Sequence, residues 1–255
     1  MAITAEGATL TRQHRHAQLV LRADVLRDMT RLWATFDATD LSASFARFAA
    51  AADVLIRTRH GDSAGLSAAY FERFRLVEGI PGTATPRIAA TPASELVRDR
   101  LRASGLMGAL NARRAGQSLQ AAARNGFVRA SGSAVSMVLG GGRNTIVDSV
   151  RADRQARGWQ RATSGTPCAF CAMVASRGPT FKSQRSARFQ AHDHCACTAE
   201  PFYTGSRELA ANQRFAKQWE TAQREAKEAD ELHRGTSNDA LNAFRRHLAG
   251  AGQPQ

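Results

Sequence analysis

The chain has 255 residues and a formal net charge of +13 at pH 7, enough length for one large core or two modest ones with no staple required by size alone. It opens on MAITAEGATLTRQHRHAQ, which has no apolar signal region, and no uncharged stretch approaches the roughly 20 apolar residues that span a bilayer. A soluble product made in a cytoplasm is therefore expected, with no membrane contact. The charge is confined: from Arg98 to Arg188 there are sixteen Lys or Arg, fifteen of them Arg, against the three acids Asp99, Asp148 and Asp153, while the other 19 bases and 19 acids cancel. Such a block is the footprint of a polyanion, since each neutralised phosphate releases a condensed counterion and the arginine fork suits phosphate oxygens.

The first third reads as helix. Leu21, Val25, Met29, Leu32 and Phe36 step by three and four, as do Leu41, Phe45, Phe48, Ala52 and Leu55, and then Tyr70, Phe74 and Val77; each series marks a core-facing stripe. His14, His16 and His60 lack neighbours at ligand spacing and carry no expected chemistry. Residues 79–92, GIPGTATPRIAATP, have three prolines, two glycines and no periodicity, so a linker or exposed loop is expected. Thr91-Pro92 suits a helix start. A basic helical segment should follow to about Arg124, with Gly105 a break and Asn125-Gly126 a stop. The triple glycine 140–142 is followed by neither Lys-Ser nor Lys-Thr and completes no G-x-G-x-x-G frame, so it reads as a hinge or tight turn rather than a phosphate loop.

From Arg143 to Arg157 another helix is expected, ended by Gly158, and Trp159 to Thr163 alternates weakly as a short strand would. Phe170, Phe181, Phe189, Phe202 and Tyr203 could form an apolar cluster about the loops that follow. Residues 206–250 are again helix-like, and 251–255 should fray. The expected divisions are a helical domain 1–78, the linker 79–92, a basic helical region 93–142, a metal-binding domain 143–205 and a helical tail 206–255.

All four cysteines lie between Trp159 and Tyr203, as Cys168-x-x-Cys171, a spacer, and His192-x-x-Cys195-x-Cys197. A C-x-x-C turn directs two thiolates at one ion and a tetrahedral Zn²⁺ needs four S or N donors, so the second pair must return from a distant loop. Two disulfides are the competing reading of an even cysteine count, and the lack of a secretory signal favours metal. Five ligand candidates and a sixth, His194, exceed what one ion needs. That surplus favours a closed structural zinc over a catalytic one with an open position. Cys168, Cys171, His192 and Cys195 are the preferred four, with Cys197 the alternative to one of them. Pro167-Cys168-Ala169-Phe170-Cys171 matches half of a zinc nucleobase deaminase, but the chain contains no H-x-E. A zinc-braced HNH-like metal-dependent nuclease is the runner-up; it would need a further Asn or His across a small ββα unit to hold a catalytic ion, and the segment after Cys197 offers only Tyr203 and Asn212. No catalytic residue is expected.

The run TSGTPCAFCAMVASRGPTFKS…FQAHDHCACTAEPFY resembles, over roughly 142–203, the C-terminal domain of the phage Mu F-like head morphogenesis family, especially the minor capsid proteins of actinobacterial phages and prophages. The helical stripes and the metal loops together lead us to expect an α+β, predominantly helical protein in which a helical N-terminal region precedes a small zinc-braced domain and a helical tail. The resemblance implies a structural virion protein in the capsid interior or at the portal vertex, present in the host cytoplasm during assembly. Its partners would be the portal or the major capsid protein, and it would assist procapsid assembly and DNA packaging or delivery. Cys168, Cys171, His192, Cys195 and Cys197 take the family's ligand positions. With the basic block, this gives non-specific contact to double-stranded DNA through Arg143, Arg151, Arg154, Arg157, Arg161, Arg177, Lys182, Arg185 and Arg188, since phosphate contacts carry no sequence information.

Overall fold

The structure is a computed structural model that describes residues 2–37, 39–163, 165–181, 188–229 and 237–251. Three long helices carry it: α1 (Ala5–Trp33), α2 (Leu41–Val77) and α5 (Leu119–Ala152), with the short α3 (Ser94–Leu101) and α4 (Met107–Arg114) between them. The fold is α+β and predominantly helical, as the periodicity predicts. Local chemistry sets the ends. Thr4, Asp40 and Ser118 cap α1, α2 and α5 by accepting from the backbone N–H three residues on, at 2.9, 3.3 and 3.2 Å. Gly79 (φ 63°) closes α2 and Gly116 (φ 83°) closes α4, both in the left-handed conformation that glycine enters without a Cβ penalty.

The first two expected stripes pack as one core. Leu21, Val25 and Met29 of α1 meet Phe45, Phe48, Ala52 and Ile56 of α2 and Ala130, Ala134, Val135 and Val138 of α5. A second cluster joins Tyr70, Phe71 and Phe74 of α2 and Ile146, Val147 and Val150 of α5 to the sheet residues Trp159, Ala199 and Tyr203.

Four expectations about breaks need correction. Helix α5 runs without interruption through Gly126 and through Gly140–Gly142, so neither is a stop or a hinge. Gly126, Gly141 and Gly142 are there for close approach. A Cβ on Gly141 would lie 2.3 Å from the backbone oxygen of His60, and one on Gly126 would lie 2.8 Å from the backbone oxygen of Gly105. Gly105 does mark an irregularity, but a one-turn π segment (Arg102–Leu106) joins α3 to α4 in place of a break. Helix α3 starts at Ser94 with Ala93 at its cap rather than Thr91. The segment 79–92 has no regular structure, as its prolines require, yet it is strapped to α5: the N–H of Arg87 donates to Ser149 Oγ at 2.8 Å and that of Ala89 to Thr145 Oγ1 at 3.0 Å.

Beyond α5, strand β1 (Ala156–Ala162) pairs antiparallel with β2 (Thr180–Phe181) on one side and β3 (Thr198–Tyr203) on the other. Helix α6 (Ala169–Ala175) connects β1 to β2. Its buried face, Ala169, Ala172 and Ala175, meets Phe215 and Ala222 of α7 (Ala210–Glu228) and Phe244 of α8 (Ser237–Ala251). The expected fraying of 251–255 falls, apart from Ala251, outside the described residues.

Candidate metal centre

The β1–β3 pairing builds the site. Ala162 lies opposite Thr198 at one end of the ladder, so the chain leaving β1 towards Cys168 and the chain entering β3 from Cys197 emerge side by side. Cys168 then caps α6, accepting the N–H of Cys171 on its sulfur at 3.5 Å, and one helical turn sets the two thiols facing the same point. The structure brings all five expected ligands together as two triads joined at Cys171: Cys168, Cys171 and His192, and Cys171, Cys195 and Cys197, with donor atoms in each within 4.8 Å of one another. All four cysteines are free thiols, which sets aside the disulfide reading for this conformation.

The donor set fits a metal ion. A tetrahedron with bonds of about 2.3 Å to sulfur and 2.0 Å to nitrogen has edges of about 3.5–3.8 Å. Cys171 Sγ lies 3.4 Å from Cys195 Sγ and 3.5 Å from His192 Nε2, close to those edges, while Cys168 Sγ and His192 Nε2 are hydrogen-bonded at 2.6 Å. Nδ1 of His192 donates to the carbonyl of Asp193, which turns Nε2 towards the thiols, the usual orienting contact of a metal-bound imidazole. The thiols polarise one another. A hydrogen bond from Cys171, aided by His192, pulls Cys168 down to about 5, and Cys195 is held far below the thiol range by Cys171 and Cys197 with Arg143 beside it, while Cys171 is pushed up by those same contacts. Two thiolates crowded together at neutral pH are a site for a cation.

His194, the sixth candidate, turns away. Its backbone is left-handed (φ 62°), its Nε2–H donates to the Val128 carbonyl of α5 at 2.9 Å, and its ring lies where a Cβ on Gly132 would be. It therefore pins the ligand loop to α5. A cleft of about 460 Å³ opens beside the centre, lined by Cys168, His192 and His194 and by Leu19 and Arg22 of α1.

The VG15 protein family matches residues 7–226, from α1 through almost all of α7. The chain belongs to that family. VG15 is a viral, phage-type protein family, and the match takes in the metal centre and the helices that carry it. No curated protein and no solved structure matches the chain. Among the described residues no helix is long and apolar enough to cross a membrane.

In this VG15 chain two arginines expected on the DNA-facing surface are interior. Arg143 and Arg161 are only 4% and 2% exposed. Arg143 donates from Nε to the Cys197 carbonyl at 2.9 Å and from Nη2 to that of Cys195; Arg161 donates to the Gln190 carbonyl, and its Nη1 lies 3.9 Å from Cys171 Sγ. Both guanidinium groups sit against the ring of Phe189, at 5.2 and 4.0 Å from its centroid. They cannot reach a phosphate. They hold the ligand loops instead and set two positive charges beside the thiolates, as the desolvation of a buried ion demands. Sequence spacing held no signal for this pair, whereas Phe189 packs against the cysteines as the expected aromatic cluster would have it. Of the aromatics expected around the centre, Phe170 packs edge-on to His192 at 5.7 Å, whereas Tyr203 lies in the core, donating its hydroxyl to Asp153, which also pairs with Arg75. Arg151, Arg154, Arg157, Arg177 and Arg188 are exposed. Lys182 and Arg185 lie outside the described residues.

Proposed function

We propose that this VG15 protein is a non-catalytic minor capsid and head-morphogenesis protein of the Mu F-like type, in which a structural zinc ion braces a surface that holds double-stranded DNA without sequence preference. The virion reading, inside the capsid or at the portal vertex with portal or major capsid protein as partner, combines the resemblance of 142–203 with membership of a viral family. The observation that carries the DNA contact is exposure. Arg154, Arg157, Arg177 and Arg188 project to solvent with no ion pair among the described residues, and Arg100, Arg102, Arg113, Arg114, Arg124 and Arg129 on the preceding helices are also exposed. Unpaired guanidinium groups on short elements fixed to a rigid helix are suited to backbone phosphates. The zinc assignment follows from the thiolate-rich donor set, soft ligands that select Zn²⁺ over hard cations.

Duplex binding measured over a salt series tests the reading: log K should fall linearly against log salt, and a flat plot would remove the electrostatic contact. Incubation with plasmid and Mg²⁺, Mn²⁺ or Zn²⁺ tests the absence of catalysis. Sustained nicking that is lost in His192→Ala with the fold intact would replace this proposal by a nuclease.

A further inference from the structure

Beside Trp159 lies a second cleft of about 320 Å³, lined by Trp159, Val174, Arg177, Thr180, Arg188 and Gln190 together with Pro179. We infer that this cleft is a binding site for a terminal phosphate ester of nucleotide size, held between the guanidinium groups of Arg177 and Arg188. The volume is that of a small-ligand site rather than of a surface groove. Among the described residues its lining has two cations and no carboxylate. Neither arginine has an ion-pair partner among the described residues. Glu208 sits behind Gly178 and, among the described residues, forms no ion pair with Arg177.

The walls are fixed by contacts already described. The Trp159 ring is buried and stacked on Phe189 at 5.1 Å, and Phe189 is in turn covered by Arg143 and Arg161. Gln190, one residue on, has its carbonyl held by Arg161. Arg188 is thus anchored through its neighbours, and Arg177 follows α6, whose other end carries Cys168. Backbones placed in this way bring both forks to one cleft, where each can present two donors to an anion. The charge also selects. Two guanidinium groups balance a phosphomonoester, which carries about −1.5 to −2 at pH 7, better than the single charge of a diester. The Thr180 and Gln190 side chains supply neutral donors, and Val174 and Pro179 an apolar wall for the rest of the ligand. A free nucleotide and a 5′-phosphorylated strand end share this chemistry.

The site goes beyond the duplex contact, and calorimetry on the full-length protein separates the two. Adenosine 5′-monophosphate should bind and adenosine should not. R177Q and R188Q should each weaken the nucleotide by about tenfold or more, as loss of a charge-assisted bidentate contact does, with the circular dichroism melt unchanged because both side chains are exposed. A 5′-phosphorylated single strand that displaces the nucleotide better than its 5′-hydroxyl twin assigns the site to strand ends; equal displacement assigns it to free nucleotides. Equal affinity for the nucleotide and the nucleoside, no binding of either, or wild-type affinity in both variants would overturn the inference. Duplex binding with a steep salt slope would survive any of those results.

Discussion

Gly140 and Gly141 are neighbours in α5, yet alanine should act in opposite directions at the two. At Gly140 a Cβ meets nothing within 4 Å, so Gly140→Ala adds only helix propensity, about 1 kcal/mol of stabilisation. At Gly141 the same Cβ would fall 2.3 Å from the His60 backbone oxygen and 3.1 Å from its ring. Neither α2 nor α5 can yield locally, because both are held by the apolar core on either side of this crossing. The overpacking cost should therefore reach the upper end of its usual range, about 3 kcal/mol. Less the propensity gain of about 1 kcal/mol, Gly141→Ala should be destabilising by about 2 kcal/mol. For a chain of this size that is a fall in melting temperature of about 4–8 °C, against a rise of about 2–4 °C for Gly140→Ala. Thermal melts of the two variants, followed at 222 nm with metal saturating, give the comparison. A rise for Gly141→Ala, or a fall of similar size for both, would mean that the triple glycine is a flexible joint after all and that the α2–α5 contact is wrongly placed.

Elemental analysis should find one zinc per chain, and Cys171→Ser, which removes the sulfur common to both triads, should abolish it and melt the loops joined by the metal; Cys168→Ser and Cys197→Ser, compared for zinc content, identify the fourth ligand. His14 is held neutral at about 4 by burial, so the unfolded chain takes up a proton below its ordinary value of about 6.5 while the folded one does not. Stability should then fall as pH drops from about 6.5 to 4, by about 3 kcal/mol in all from this residue, and urea titrations at pH 7 and 4.5 should show a smaller loss in His14→Gln than in the wild type. The double variant Arg154→Gln/Arg157→Gln should fold normally and reduce the salt slope of duplex binding by about 2. Arg161→Gln should instead lower the melting temperature, by more than about 3 °C, because it orphans the Gln190 carbonyl and uncovers Phe189.

What could be read from the sequence divides along a physical line. The stripes Leu21–Val25–Met29 and Phe45–Phe48–Ala52 are core because periodicity reports which face of a helix leaves water, and the five metal-centre residues are legible because ligand spacing reports the reach of a tight turn. Glycine and arginine carry no such report, since each has two uses that look alike in one dimension. Gly140–Gly142 has the composition of a hinge, but a helix can absorb a propensity loss of about 1 kcal/mol per glycine when a second backbone comes close enough to occupy the missing Cβ's place, as His60 does. Arginine divides in the same way. Arg143 and Arg157 belong to one basic run, yet the first is interior because carbonyls of Cys195 and Cys197, more than fifty residues on, take its donors and a phenyl ring takes its face. The excess positive charge of 98–188 therefore has two destinations. Part of it neutralises thiolates from within, and only the remainder is free to meet phosphate, so the salt slope should count the exposed arginines rather than the net charge of the window.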